Sequence, residues 1–368
     1  MTRLKLFLFL GIFLFSTNNV LAQSKKFRVV GYYSGSPTLV DSFPVEKLTH
    51  IIFGFAHLKG NELHINNAHD SATIQQLTKM KSRNPKLKVL ISLGGWSGCA
   101  TCSDVFSSKK GRKDFSKSAR QLCEHFGTDG IDLDWEYPAI AGFPGHKYQQ
   151  ADKENFTKLV KQLRKSLSKK YEITFAAGGF KQYIDSSIEW KKVMKKINFV
   201  NLMTYDLVNG YASVTGHHSA LYSTAQQFES TNQAVNQLIN YKVPKSKIVV
   251  GAAFYGKVWE NVADTTNGLY QNGKYIGNII FRNFNSQMSP DSGFVYHWDS
   301  IAEAPYSYNA AKKIFVTYDD TKSIALKAKY ALDKDLGGIM FWELAYDAFN
   351  NGLLNVIDEV KKSYKDQK

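Results

Sequence analysis

The chain has 368 residues, long for one ordinary domain, and its 43% hydrophobic content is that of a globular protein able to bury a large core without staples. Its formal charge of +15 comes overwhelmingly from lysines scattered through polar stretches such as Lys109-Lys110 and Lys191-Lys192. No arginine-rich run or nucleic-acid motif accompanies them, so a solvated lysine surface is expected rather than a nucleic-acid or membrane partner.

The N-terminus carries Arg3 and Lys5, an apolar run over residues 6–15, and Val20-Leu21-Ala22 before Gln23. A charged start, a short apolar stretch and a small residue make a signal peptide over residues 1–22, leaving a mature chain from 23 to 368. The run is too short for a spanning helix, which needs about 20 residues. No Cys follows the cut site, so no lipid anchor is expected there, and the protein is expected to be soluble and secreted or periplasmic.

Runs rich in branched and aromatic residues follow at 27–33, 49–55, 88–93, 130–136, 172–177, 199–205, 248–255 and 338–342. Stretches with helical spacing lie between them, for example 72–83, 113–126 and 153–169. Strands alternating with helices predict an α/β fold with a parallel sheet and helices outside. Eight strands is the number that closes a TIM (β/α)8 barrel. The alternation breaks at 259–315, where Gln271-Asn272-Gly273 sits between tyrosines. This predicts a small inserted α+β module between the seventh strand and the eighth helix, on the face where barrel loops form sites.

Three cysteines are present. Cys99 and Cys102 are spaced for a local disulfide in an exported protein, or are free buried thiols like Cys123. No further ligands have zinc spacing, and His217-His218 is equally weak as a metal site, so neither metal nor cofactor is expected.

The fourth strand reads Asp129-Gly130-Ile131-Asp132-Leu133-Asp134-Trp135-Glu136-Tyr137-Pro138. Alternation puts Asp132, Asp134 and Glu136 on one face and Ile131, Leu133 and Trp135 on the other. An exposed antiparallel strand would look similar, but a barrel strand has no solvent face. Three inward carboxylates cannot all ionise, so one pKa rises and that group can donate a proton near neutral pH. Glu136, nearest the C-terminal mouth, is the expected acid; Asp134 is its proton-exchanging partner, and Asp132 supports from below.

That strand resembles the D-x-x-D-x-D-x-E signature of family 18 glycoside hydrolases of the chitinase type. Ser92-Leu93-Gly94-Gly95-Trp96, Met203-Thr204-Tyr205-Asp206, Phe254-Tyr255-Gly256 and Gly337-Gly338-Ile339-Met340-Phe341-Trp342 are similar to further motifs of the family, in order, from about Arg28 to Asp347. The resemblance implies a retaining hydrolase of β-1,4 N-acetylglucosamine linkages in chitin, acting as a monomer. In that family the sugar's own 2-acetamido oxygen is the nucleophile. It implies that Glu136 protonates the glycosidic oxygen, that Asp134 and Tyr205 hold the acetamide with Asp206 nearby, and that Trp342 forms the floor. Tyr32, Phe55, Trp96, Tyr137, Met203 and Tyr255 fall where the family lines its cleft. Ser92, Gly94 and Gly95 are read as packing residues. Lys257 departs from the family, which often has Arg there, and that bears on sugar affinity rather than chemistry.

Other readings share parts of this pattern. A lectin on the same fold typically loses the strand-four acid, which is present here. An endo-β-N-acetylglucosaminidase of glycoproteins shares the acidic motif, but the eighth strand and the insertion favour chitin. A polyanion-binding protein rests on charge alone.

Overall fold

The computed structural model describes residues 27–366. The expected leader at 1–22 lies outside them. Nine strands form one sheet, the smallest of which, Glu62–His64, hangs as a hairpin from its neighbour. The other eight are β1 (Arg28–Tyr33), β2 (His50–Lys59), β3 (Lys88–Gly94), β4 (Gly130–Asp134), β5 (Glu172–Gly178), β6 (Phe199–Met203), β7 (Ile248–Ala253) and β8 (Gly338–Trp342). All pair in parallel with their sequence neighbours, and β1 pairs with both β8 (Arg28 opposite Gly338) and β2 (Val30 opposite His50). The sheet therefore closes into the expected TIM barrel, with no edge left open.

Helices α1 (Ala68–Lys79), α2 (Lys109–Phe126), α3 (Asp152–Leu167), α4 (Thr231–Asn240), α5 (Thr321–Asp333) and α6 (Leu353–Asp366) are the longer ones of the outer layer. Their ends follow from local chemistry. The Asn67, Ser108, Ser230 and Asp320 side chains accept N–H bonds at the starts of α1, α2, α4 and α5, and Gly127 ends α2 at a φ of 66°. On α2, Phe115, Ala119 and Cys123 recur every four residues and are buried, while the lysines face out.

Strand alternation divides the core in two. Ile131, Leu133 and Trp135 join the layer between sheet and helices, together with Ile51, Val89 and Ile173. Val30, Tyr32, Ile52, Leu90, Phe199, Met203, Val249 and Met340 fill the barrel interior. Asp132 and Asp134 share that inward parity, so the fold pays for enclosing them only if their oxygens find donors or protons.

A second, antiparallel sheet of five strands interrupts the barrel between β7 and α5. Its order is Lys274–Ile280, Tyr255–Glu260, Ile314–Tyr318, Ala304–Asn309, Val295–Asp299. It extends beyond 259–315 at both ends because Tyr255–Glu260 pairs with both Lys274–Ile280 and Ile314–Tyr318. Tyr255 thus belongs to the insertion and not to the seventh barrel strand, from which only Phe254 separates it. Likewise β4 and β6 stop at Asp134 and Met203, so Glu136 and Tyr205 lie on the loops just past them. Asp134, paired with Gly94, is the last rung that β4 shares with β3.

Cys99 and Cys102 are disulfide-bonded, and Cys123 is a buried thiol that burial pushes up to about 12. No helix among the described residues is long and apolar enough to cross a membrane.

Candidate active site

Asp132 is fully buried and held by four side chains. Ser92 Oγ and Tyr32 Oη donate to Oδ2 at 2.8 and 2.9 Å, and Thr174 Oγ1 and Asn201 Nδ2 to Oδ1 at 2.5 and 3.4 Å. Sheet register makes this possible, since Ser92 lies beside Asp132 on β3 and Thr174 beside it on β5. Burial raises the Asp132 carboxyl while these donors pull it down, and the net shift is upward.

Two residues on, Asp134 has no such cage. Its Oδ1 is buried without a hydrogen-bond partner, and burial, then the charges of Glu136 and Asp132, push it well above the carboxylate range. A buried carboxyl with an orphan oxygen next to other acids is a group that holds a proton. Glu136 follows at the mouth. Burial lifts it to about 7, opposed by a hydrogen bond with Tyr137 and aided by the charge of Asp206. Along this inward-facing series the environment thus passes from a carboxyl caged by four donors at Asp132 to an uncaged proton carrier and then to an acid poised near neutrality. Asp134 and Glu136 titrate as a pair.

The Tyr205 hydroxyl faces the Met340 sulfur at 3.6 Å. Burial and the surrounding carboxylates push it far up, which keeps it a phenol and a donor. Met203 lies buried in the interior cluster below it. Asp206 turns the chain at a φ of 56°, and its Oδ1 receives Tyr255 Oη at 2.5 Å and Lys257 Nζ at 3.1 Å. Partial desolvation in the cleft would raise its carboxyl, but His218, Lys257 and Tyr255 outweigh it and hold it down to about 2.

Trp342, at the end of β8, lies parallel to Phe55 at 5.4 Å between centroids and tilted to Tyr32 at 5.7 Å. The next residue, Glu343, is buried and accepts from Ser34 N and Oγ at 2.5 and 2.7 Å, tying the β8 end to the chain after β1. Trp96 stands at the rim, 38% exposed, with its ring near those of Tyr137, Phe143 and Tyr211. The glycines before it explain themselves sterically. A Cβ on Gly94, whose φ is 109°, would meet the Asp134 carbonyl oxygen at 2.2 Å, and one on Gly95 would meet the Phe55 ring at 2.5 Å.

The barrel mouth therefore gathers Glu136, Asp134, Tyr137, Tyr205, Asp206, Tyr255, Trp342, Phe55 and Trp96, with Tyr32, Asp132 and Met203 beneath them. Sequence reading passed over Thr174, Asn201, Tyr211 and Glu343, and weighed His218 only as a weak metal ligand. Thr174 and Asn201 carried a usable signal, as polar residues in otherwise apolar strands; for the others only the fold brings them near.

A model of the glycosyl hydrolases family 18 matches residues 28–347, and the chain belongs to that family. Chitinase A1 of Niallia circulans is 34% identical over 301 residues, which are 75% of this chain and 43% of that protein. The chain thus spans less than half the length of this relative. Among solved structures, a family 18 N-acetylglucosaminidase from Paenibacillus barengoltzii shares 34% identity with a TM-score of 0.83, covering 91% of this chain and 100% of that one. Chitinase ChiA74 from Bacillus thuringiensis shares 26% identity with a TM-score of 0.86, over 92% of this chain and 70% of that one.

Proposed function

We propose that this chain hydrolyses β-1,4 N-acetylglucosamine linkages in chitin and chitooligosaccharides, with retention, using the 2-acetamido group of the substrate as nucleophile. The observation that carries this reading is the graded series Asp132, Asp134, Glu136, which ends in an acid held near neutrality. Glu136 donates its proton to the glycosidic oxygen as the acetamide oxygen of the same sugar attacks the anomeric carbon. That attack is intramolecular and gains from proximity, so no protein nucleophile is needed. Asp134 passes its proton to Asp132 beneath it and, as a carboxylate, accepts the acetamide N–H and balances the charge of the oxazolinium-like intermediate; the Tyr205 hydroxyl donates to the acetamide from the other side. Glu136, now deprotonated, takes a proton from the water that opens the intermediate, and the β-anomer leaves.

Trp342, braced by Phe55 and Tyr32, gives the reacting sugar an apolar floor. Trp96 and Tyr137 line the cleft, and the insertion raises one wall through Tyr255. The chain works as a monomer after export and removal of residues 1–22. It uses neither metal nor cofactor, since every step above is proton transfer and orientation by its own side chains.

The test is an NMR time course of chitopentaose that resolves the anomers of fresh products. Initial β-anomer supports retention through the acetamide; initial α-anomer overturns the mechanism. Absence of cleavage, with release of glycans from a glycoprotein, favours the endo-β-N-acetylglucosaminidase reading instead.

A further inference from the structure

His218 lies outside the acidic strand and outside every motif that pointed to the site, yet its ring is fully buried against the site's wall. Its Nδ1 is 3.5 Å from Asp206 Oδ1, the oxygen that receives Tyr255 and Lys257; this is an electrostatic contact at the outer edge of hydrogen-bonding reach, and neither ring nitrogen has a closer partner among the described residues. The ring packs on Tyr255 with centroids 5.2 Å apart, and the His218 backbone N–H donates to Thr317 Oγ1. Three groups thus converge on one carboxylate oxygen. The other oxygen, Oδ2, has no donor among the described residues, and the Asp206 side chain is 45% exposed. A carboxylate saturated on one side and bare on the other is an oriented acceptor for a hydroxyl or amide N–H.

We propose that His218 is a positioning residue for sugar binding: as a neutral ring it helps fix Asp206 so that Oδ2 is presented to an N-acetylated sugar chain. This deepens the function proposed above and rests on it. The titratable groups around the ring come from each element packed on it. They are Asp206 on the loop after β6, Tyr255 and Lys257 on the first insertion strand, Tyr275 on the next, where its ring lies 5.2 Å from Lys257 Nζ, and Asp319 after the last, paired with Lys327. Neutral His218 gives a cluster in which Asp206 and Lys257 balance. Protonation adds a second cation beside Lys257 and an Nε2–H that finds no acceptor among the described residues. Burial, the largest influence on the ring, disfavours that form, and the Asp206 charge opposes burial only in part.

The test uses the full chain carrying Glu136→Gln, which the proposed mechanism leaves able to bind but not to cut. Chitotetraose affinity is measured by calorimetry from about pH 5 to about pH 8. Adding His218→Leu, which removes the ring nitrogen facing Asp206, is expected to weaken binding about tenfold at every pH. Adding His218→Asn, which keeps an N–H donor but cannot titrate, is expected to stay within about threefold and to abolish the loss of affinity that His218 causes as pH falls. A His218→Leu chain that binds as tightly as its parent overturns the proposal, as does a His218→Asn chain weakened as much as His218→Leu.

A second readout needs no sugar. The His218 Cε1–H signal is titrated by NMR in the otherwise unchanged chain and in Asp206→Asn. Loss of the Asp206 charge is expected to move the His218 midpoint down, and an unmoved midpoint overturns the pairing. If the Glu136→Gln chain binds no chitotetraose, the functional reading fails, while this titration still decides whether His218 and Asp206 are coupled.

Discussion

Glu136 and Asp132 are the same kind of group four residues apart, and what separates them is the number of donors each finds. Asp132 has four and stays anchored in the barrel; Glu136 is lifted to about 7 by burial and keeps its proton near neutral pH. Removing that proton without changing the shape is the direct check. Glu136→Gln is expected to lower turnover by about a hundredfold to ten-thousandfold, the range general acid catalysis contributes, while oligosaccharide binding by calorimetry persists. Residual activity within about tenfold of the parent would mean that another group supplies the proton.

The pH dependence follows from the same residue. Its pKa is raised and the protonated form is the active one, so kcat/KM is expected to be sustained below about 7 and to fall as pH rises through that value. A pH–rate profile measured on chitotriose checks it. A basic limb several units higher would assign the acid elsewhere.

At the scale of elements, the loops past β6 and β7 and the start of α5 meet on one buried ion pair. Asp319 and Lys327 are both fully buried, 2.6 Å apart. Asp319 also accepts from Ser219 Oγ, Ser323 Oγ and the Ala253 N–H, and Lys327 donates to the Ser219 carbonyl. The pair thereby joins the end of β7, the segment that carries His218, and the junction where the insertion returns to the barrel. Lys327→Met leaves Asp319 charged and without its cation in a dry site, a change that costs about 3–5 kcal/mol. Denaturant unfolding is the measurement. The double change with Asp319→Asn is expected to recover much of the loss, because no unpaired charge remains.

Across the whole molecule, the +15 charge is spread over helices whose lysines face water, and many of them pair locally, as Lys158 does with Glu154 and Lys329 with Asp333. A diffuse field of this kind attracts polyanions weakly. Retention on heparin is expected at low salt and to be lost by about 0.3 M, where the screening length is below 10 Å. Retention at about 1 M would point to a built anionic site instead.

Much of this protein was legible in the sequence because the barrel writes itself as periodicity. Alternation within 130–136 put three carboxylates on one face, and the count of apolar runs separated by helical stretches predicted eight strands. The motif glycines at 94 and 95 were readable as close-packing residues, and the structure supplies their contacts, the Asp134 carbonyl and the Phe55 ring. Strand ends were less legible, since Tyr255, Tyr205 and Glu136 continue an apolar pattern past the last paired rung. Periodicity describes which face a side chain takes, and pairing partners far along the chain decide where a ladder stops.

What the sequence determined by itself was the fold class and the identity of the acidic strand, both of which rest on local alternation and spacing. What only the tertiary structure decided was how each acid is solvated. Ser92, Thr174, Asn201 and Tyr32 come from four different strands to meet Asp132, and His218, Tyr255 and Lys257 converge on Asp206 from two segments that the barrel brings together. The charge state of a carboxyl depends on donors and dielectric within a few ångströms, and those neighbours are set by closure of the barrel, which no stretch of sequence contains.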